Sequence, residues 1–159
     1  MKIALIIIAC LVGIGFVVLL IRSRIAPKYS VTASDIPRII SQLQRSGKDG
    51  DFAVIMFLPS GYTNGKSVNL QYSVEAGVVG LDWVLISPLN IADRERVIEF
   101  ASKLGYRLDE HEMNGVRYLR ATSGDISDLG AKIILEFYRV APDNKLGMIT
   151  EGFKWQPES

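Results

Sequence analysis

Over residues 67–75 the chain alternates residue by residue. Val68, Leu70, Tyr72 and Val74 are apolar, and Ser67, Asn69, Gln71, Ser73 and Glu75 between them are polar. A period of two marks a strand with one buried and one wet face. A second β-rich run, 78–86, follows directly after Ala76-Gly77. Two such runs joined by a short Gly-containing link predict an antiparallel hairpin.

Helical spacing appears on either side. Ile36, Ile39, Ile40 and Leu43 recur at i, i+3, i+4 and i+7, after Ser34 as a cap and Pro37 in the first turn. Residues 52–58 form an unbroken apolar run ended by Pro59, the pattern of a strand buried on both sides. Beyond Pro88, Asn90 is placed to cap a helix with Asp93 at N3; Ile91, Val97, Ile98, Ala101 and Leu104 supply its apolar face and Gly105 its end. Residues 106–112 and 116–122 flank Asn114-Gly115 and predict a second hairpin. In that register Glu112 faces Arg117 and Asp109 faces Arg120, two favourable cross-strand pairs. Asp125 caps a last helix whose apolar face is Ile126, Leu129, Ile133, Ile134 and Phe137. The resulting order is α-β-β-β-α-β-β-α, an α+β domain with an antiparallel sheet packed by helices. Residues 25–33 read as a linker, 34–141 as the domain, and 142–159 as a tail without a clear period.

The first 24 residues stand apart. Residues 3–21 carry no charge, and about 20 such residues span a bilayer as a helix. A single-pass transmembrane helix in an inner or plasma membrane is therefore expected ahead of the domain. Arg22, Arg24 and Lys28 outweigh Lys2 across it, which predicts a cytoplasmic domain. The run is longer than a signal-peptide core and lacks a small-residue cleavage pattern. Ile7-Ile8-Ala9-Cys10 is similar to a lipobox, but the chain stays apolar after Cys10.

Composition narrows the partners. Of 159 residues, 48% are hydrophobic and 22% charged, which excludes a disordered chain. With 18 Lys and Arg against 17 Asp and Glu, no net field recruits nucleic acid. One cysteine rules out an intrachain disulfide and a cysteine-based metal cluster.

Two local patterns carry a family resemblance. One is Asp51-Phe52-Ala53-Val54-Ile55 followed by the alternating strand with Leu70-Gln71-Tyr72. The other runs from Ser87-Pro88-Leu89-Asn90 into a helix closing on Leu104-Gly105-Tyr106. With the element order, they make residues 34–140 similar to type III secretion chaperones and their YbjN-type relatives. The resemblance implies a non-catalytic binder, often a homodimer, that holds another protein on its sheet. The anchor and the near-neutral charge depart from the soluble, acidic pattern of secretion chaperones.

Candidate chemistry is sparse. His111, the only histidine, lies in Asp109-Glu110-His111-Glu112, but a strand turns Asp109 and His111 to one face and the two glutamates to the other. A solvated, salt-paired hairpin is the expected role. Asp82 interrupts an apolar strand; either its face is open there or it meets an arginine. Residues 60–66 lack phosphate-loop spacing and lead into a strand, not a helix. Trp83, Tyr72 and Phe52 are expected as core, because a nucleic-acid platform also needs a basic groove. No catalytic residue, cofactor or metal is therefore expected. The expected function is a membrane-anchored protein-binding module, chaperone-like or accessory to a membrane complex. Its expected partner face is Ser67, Asn69, Gln71, Ser73 and Glu75. The alternatives are an immunity-type protein that binds a toxin and a small anchored enzyme using Asp82 or Asp109 with His111.

Overall fold

The computed structural model describes residues 26–59 and 67–157. Seven strands form one antiparallel sheet: β1 (Tyr29–Val31), β2 (Phe52–Phe57), β3 (Val68–Glu75), β4 (Val78–Val84), β5 (Asp109–Met113), β6 (Val116–Ala121) and β7 (Leu146–Glu151). Their order across the sheet is β1-β7-β2-β3-β4-β6-β5. The helices are α1 (Ile36–Ser46), α2 (Pro88–Ala92), α3 (Arg94–Lys103) and α4 (Ile126–Lys132), the last running on into a π-helical turn, Ile133–Phe137.

Local chemistry fixes the elements. The Thr32 N–H and hydroxyl both donate to the Asp35 carboxylate, at 2.8 and 3.0 Å, and start the turn that leads into α1. Asp125 accepts from the N–H groups of Ser127 and Asp128 and caps α4. Ala76-Gly77 and Asn114-Gly115 both have positive φ at their two residues, the two-residue turn that matches the twist of a hairpin.

The helices pack on one face of the sheet. Ile39 and Leu43 of α1, Val97 of α3 and Leu129 of α4 share one core with Leu70, Tyr72 and Trp83 of the central hairpin. The polar handles of the large rings are satisfied there: Tyr72 donates to the Ile126 carbonyl at 3.4 Å and Trp83 Nε1 to the Asn90 carbonyl at 2.9 Å. Tyr138 stacks on Trp83 with centroids 6.2 Å apart and donates to Asp93 at 2.8 Å.

The central hairpin, the apolar faces of α1 and α4, and the β5–β6 register all match the sequence pattern; Asp109 stands opposite Arg120 and Glu112 opposite Arg117. The expected fold class, a transmembrane helix followed by α-β-β-β-α-β-β-α, is corrected. The sheet has seven strands, and the two unforeseen ones come from the supposed linker and tail. Tyr29 pairs with Met148 and Val31 with Leu146, while β7 also lies along β2. Buried Trp155 and a two-way amide contact between Gln42 and the Gln156 backbone hold the tail to α1. Among the described residues no helix is long and apolar enough to cross a membrane. The expected span, residues 3–21, and the loop glycines Gly61 and Gly65 lie outside the described residues. Asn90 is no N-cap but lies inside α2, fully buried. Its side-chain amide accepts from the Asn69 N–H at 3.1 Å and donates to the Asn69 carbonyl at 2.7 Å.

Tyr72 and Gly130 are matched: a Cβ at Gly130 would lie 1.8 Å from the Tyr72 hydroxyl. Tyr72→Ala is expected to cost about 3 kcal/mol or more, and Gly130→Ala about 1–3 kcal/mol by overpacking. Denaturant melts of the two variants check both values.

Candidate functional site

The residues singled out from the sequence fall into three places. The first is the centre of the sheet's second face, turned away from the helices. Asn69, Gln71 and Ser73 lie there, but they are buried, with Gln71 only 4% exposed. The expected open partner face is therefore corrected, and only Ser67 and Glu75 at its ends are half-exposed. The reason is a charge pair that the row surrounds. Arg120 of β6 reaches across to Asp82 of β4, 2.5 Å away, and also donates to the Ser73 hydroxyl at 2.9 Å. It further donates to the carbonyls of Ser73 and Val78, both at 3.2 Å, and pairs with Glu75 at 3.3 Å. Ser73 also donates to Asp82, and Tyr118 donates to Glu75 at 3.1 Å. Gly80 makes the crossing possible, because a Cβ there would lie 2.5 Å from the Arg120 guanidinium carbon. Of the two roles read for Asp82, the arginine partner is the one observed.

Burial pushes the Asp82 carboxyl up to about 7, against the opposing pull of Arg120 and Ser73. The cluster lines neither the groove between α1 and α4 nor the one beside Ile91. Where the carboxyl is ionised, the cluster neutralises one charge by another inside the sheet; where it is protonated, Arg120 keeps Glu75 and the Ser73 and Val78 carbonyls as partners.

The second place is the edge strand β5. Asp109 and His111 are exposed there. Asp109 accepts from Arg107 at 2.7 Å, and His111 stacks on Tyr118 with centroids 5.5 Å apart. The cross-strand partners are opposite one another, but their ion pairs go elsewhere: Arg120 to Asp82, and Arg117 to Glu110. Asp82 and His111 sit two strands apart and do not form one constellation. Among the described residues no group of three His, Cys, Asp or Glu side chains is arranged to hold a metal ion.

The third place was not read from the sequence. A shallow groove of about 420 Å³ is lined by Leu85, Ile86, Ile91, Arg94, Val116 and Arg117. It joins the turn after β4 and the start of α3 to the β5–β6 hairpin, which lies further along the chain. Ile91 is 55% exposed there. Arg94 and Arg117 both donate to Glu110, and these contacts, Arg117 first, hold that carboxyl below its ordinary value. Arg94 Nε, also buried, donates to nothing among the described residues. The spacing sets Ile91 on the apolar face of one helix after Pro88; that reading is corrected, because two separate helices, α2 and α3, form there and Ile91 of α2 is exposed.

These features define the chain as a single α+β sheet domain with an internal charge pair and a small amphipathic groove. Comparison with protein-family models, with curated proteins and with solved structures finds no match.

Asp82 gives a signed pH dependence. Its ordinary value is 3.8. Above about 7 both folded and unfolded chains are ionised at this site, and below about 4 both are protonated. In between only the folded chain keeps the proton, so this group's stabilisation is complete below about 4 and lost as pH rises through about 7. The wild-type domain is expected to lose stability by roughly 1 kcal/mol per pH unit across that window relative to Asp82→Asn. Parallel melts of the two proteins from pH 4 to 8 check the slope. Gln71→Arg, which an open face would tolerate, is expected to destabilise by about 1–3 kcal/mol, because it places a second cation beside Arg120.

Proposed function

We propose that the domain is a non-catalytic protein-binding module and that the groove beside Ile91 receives its partner. The carrying observation is the exposed Ile91 over an apolar floor between two arginines. Exposed apolar surface rimmed by polar groups is the usual form of a protein contact. The arginine rim suits a partner segment that presents an apolar side chain next to a carboxylate. Such a carboxylate would accept from the half-exposed Arg117 guanidinium and share it with Glu110. The reading agrees with what the resemblance to secretion chaperones implies, a domain that holds a segment of another protein. The uncharged run 3–21 supports a location at a membrane.

Binding and folding separate cleanly at this site, because Ile91 is exposed. Ile91→Asp is expected to leave the melt within about half a kcal/mol and to lower recovery of the partner from crosslinked membranes at least ~10-fold. Leu58→Asp, an equally exposed apolar position outside the groove, is the control and should leave recovery unchanged. Equal recovery with Ile91→Asp would overturn the groove as the partner site.

A further inference from the structure

Three large apolar side chains stand exposed among the described residues: Leu58, Val78 and Ile91, at 53, 47 and 55%. All three lie at the ends of the sheet. Ile91 is in the groove that follows β4, and Leu58 is at the same end, since Phe57 pairs with Val68 where β3 begins. Val78 stands at the other end, the first residue of β4, directly after the Ala76-Gly77 turn. Leu85 follows the last residue of that strand, so Val78 and the groove are about 23 Å apart at ordinary strand rise.

The two ends are opposite in chemistry. Ala76, Gly77 and Val78 are all exposed. The Gly77 N–H donates to Asp49 Oδ1 at 2.7 Å, and Glu75 stands opposite Val78 in the β3–β4 ladder. Val78 is thus an apolar knob between two carboxylates. Asp49 is exposed, and its second oxygen has no partner among the described residues. Lys48, also exposed, is set against Asp49, Asp51 and Glu75. In the groove both charged lining residues are arginines, with Glu95, Glu110 and Glu112 near but outside the lining. Arg117 gives Nε and Nη2 to Glu110 and keeps Nη1 without a partner among the described residues. Leu58, by contrast, stands between Phe57 and Pro59 with no carboxylate beside it.

We propose that the occupant of the groove is a second copy of this chain, docked head to tail, with Val78 of one copy against Ile91 of the next and Asp49 facing Arg117. This rests on the groove being the partner site, and it supplies what that site calls for, an apolar side chain next to a carboxylate. Charge decides the direction. Groove on groove would set arginines against arginines, and knob on knob would set carboxylates against carboxylates; like charges across an interface are costly. Knob on groove pairs opposites. Because the two surfaces differ, each added copy leaves a knob free at one end and a groove free at the other. Growth edge to edge is blocked by the charged β5 and the short β1, so association runs along the strands. Each contact is small, of the kind that forms transiently.

Disulfide trapping suits a transient contact. In the full chain, Cys10→Ser removes the only native thiol, and Val78→Cys and Ile91→Cys are introduced together. Closure within one chain is impossible, because a disulfide needs Cα atoms within about 7 Å. Cells expressing the chain are treated with a permeant oxidant, and the products are read on a non-reducing gel. A ladder of two, three and more copies is expected, at least ~10-fold stronger than with Val78→Cys and Leu58→Cys together. Adding Arg117→Glu should weaken the ladder at least ~10-fold, and adding Asp49→Lys to that chain should restore it. Restoration cannot come from a misfolded chain. No ladder, a ladder that Arg117→Glu leaves unchanged, or a loss that Asp49→Lys does not restore overturns the proposal. So does a dimer formed by Ile91→Cys alone, which would be groove on groove. Failure here is distinct from failure of the groove itself: where no ladder forms but Ile91→Asp still lowers partner recovery, the groove stands and its occupant is a different protein.

Discussion

The pair between Arg120 and Asp82 is the constraint on which the middle of this domain depends. Two opposite charges lie inside a sheet, away from water, and each is held by further partners on β3 and β4. Burying either alone would cost several kcal/mol. The surrounding sequence is therefore shaped to the pair: glycine at position 80 lets the guanidinium through, serine at 73 bonds both partners, and Glu75 gives the guanidinium a second carboxylate. The pair also ties β3, β4 and β6 together through side chains, independently of their backbone ladders. A pair that crosses strands so distant in sequence fixes which strand neighbours which, and that is a specificity function more than a source of net stability.

Period-two and period-3.6 patterns were enough to find the central hairpin, the second hairpin with its register, and the core faces of α1 and α4, because in each the apolar row meets one layer only. The same rule failed where both sides of a strand are covered. In β7, Leu146, Met148 and Thr150 turn to the helices while Gly147, Ile149 and Glu151 turn to the second face, so no alternation of character survives. β1 has three residues, too few for any period, and is defined by its pairing with β7. The polar row of β3 looked wet for a related reason. Asn, Gln and Ser are as suited to a buried network as to solvent, and only the arginine 47 residues beyond Ser73 decides between them. Asp82 and Arg120, each inside an apolar strand, were the visible signs, but their meeting depends on a β4–β6 neighbourhood that local pattern does not encode.

The candidate binding groove was illegible for the same reason. Its seven lining residues come from the turn after β4, the α2–α3 junction and the second hairpin, and only the fold brings the hairpin to the other two. By contrast, the edge of the sheet was readable. The charged Asp109-Glu110-His111-Glu112 stretch forms the outermost strand, where charges discourage pairing with another chain. The opposite edge is only three residues long, and the two devices together leave neither edge as a ready template.

Asn90 closes the sheet in an unusual way. Where β3 begins, the backbone groups of Asn69 on the β4 side are met by one side-chain amide on a short helix in place of another strand. Ladder pairing can slide by whole residues, since every peptide unit offers the same donor and acceptor. A single amide cannot be exchanged for its neighbour, because Leu89 and Ile91 have no such group. The first turn after the hairpin thus acts as a key that accepts one alignment of β3. The frame of the whole sheet is read from that side chain, so the helix sets the zero from which the strands are counted.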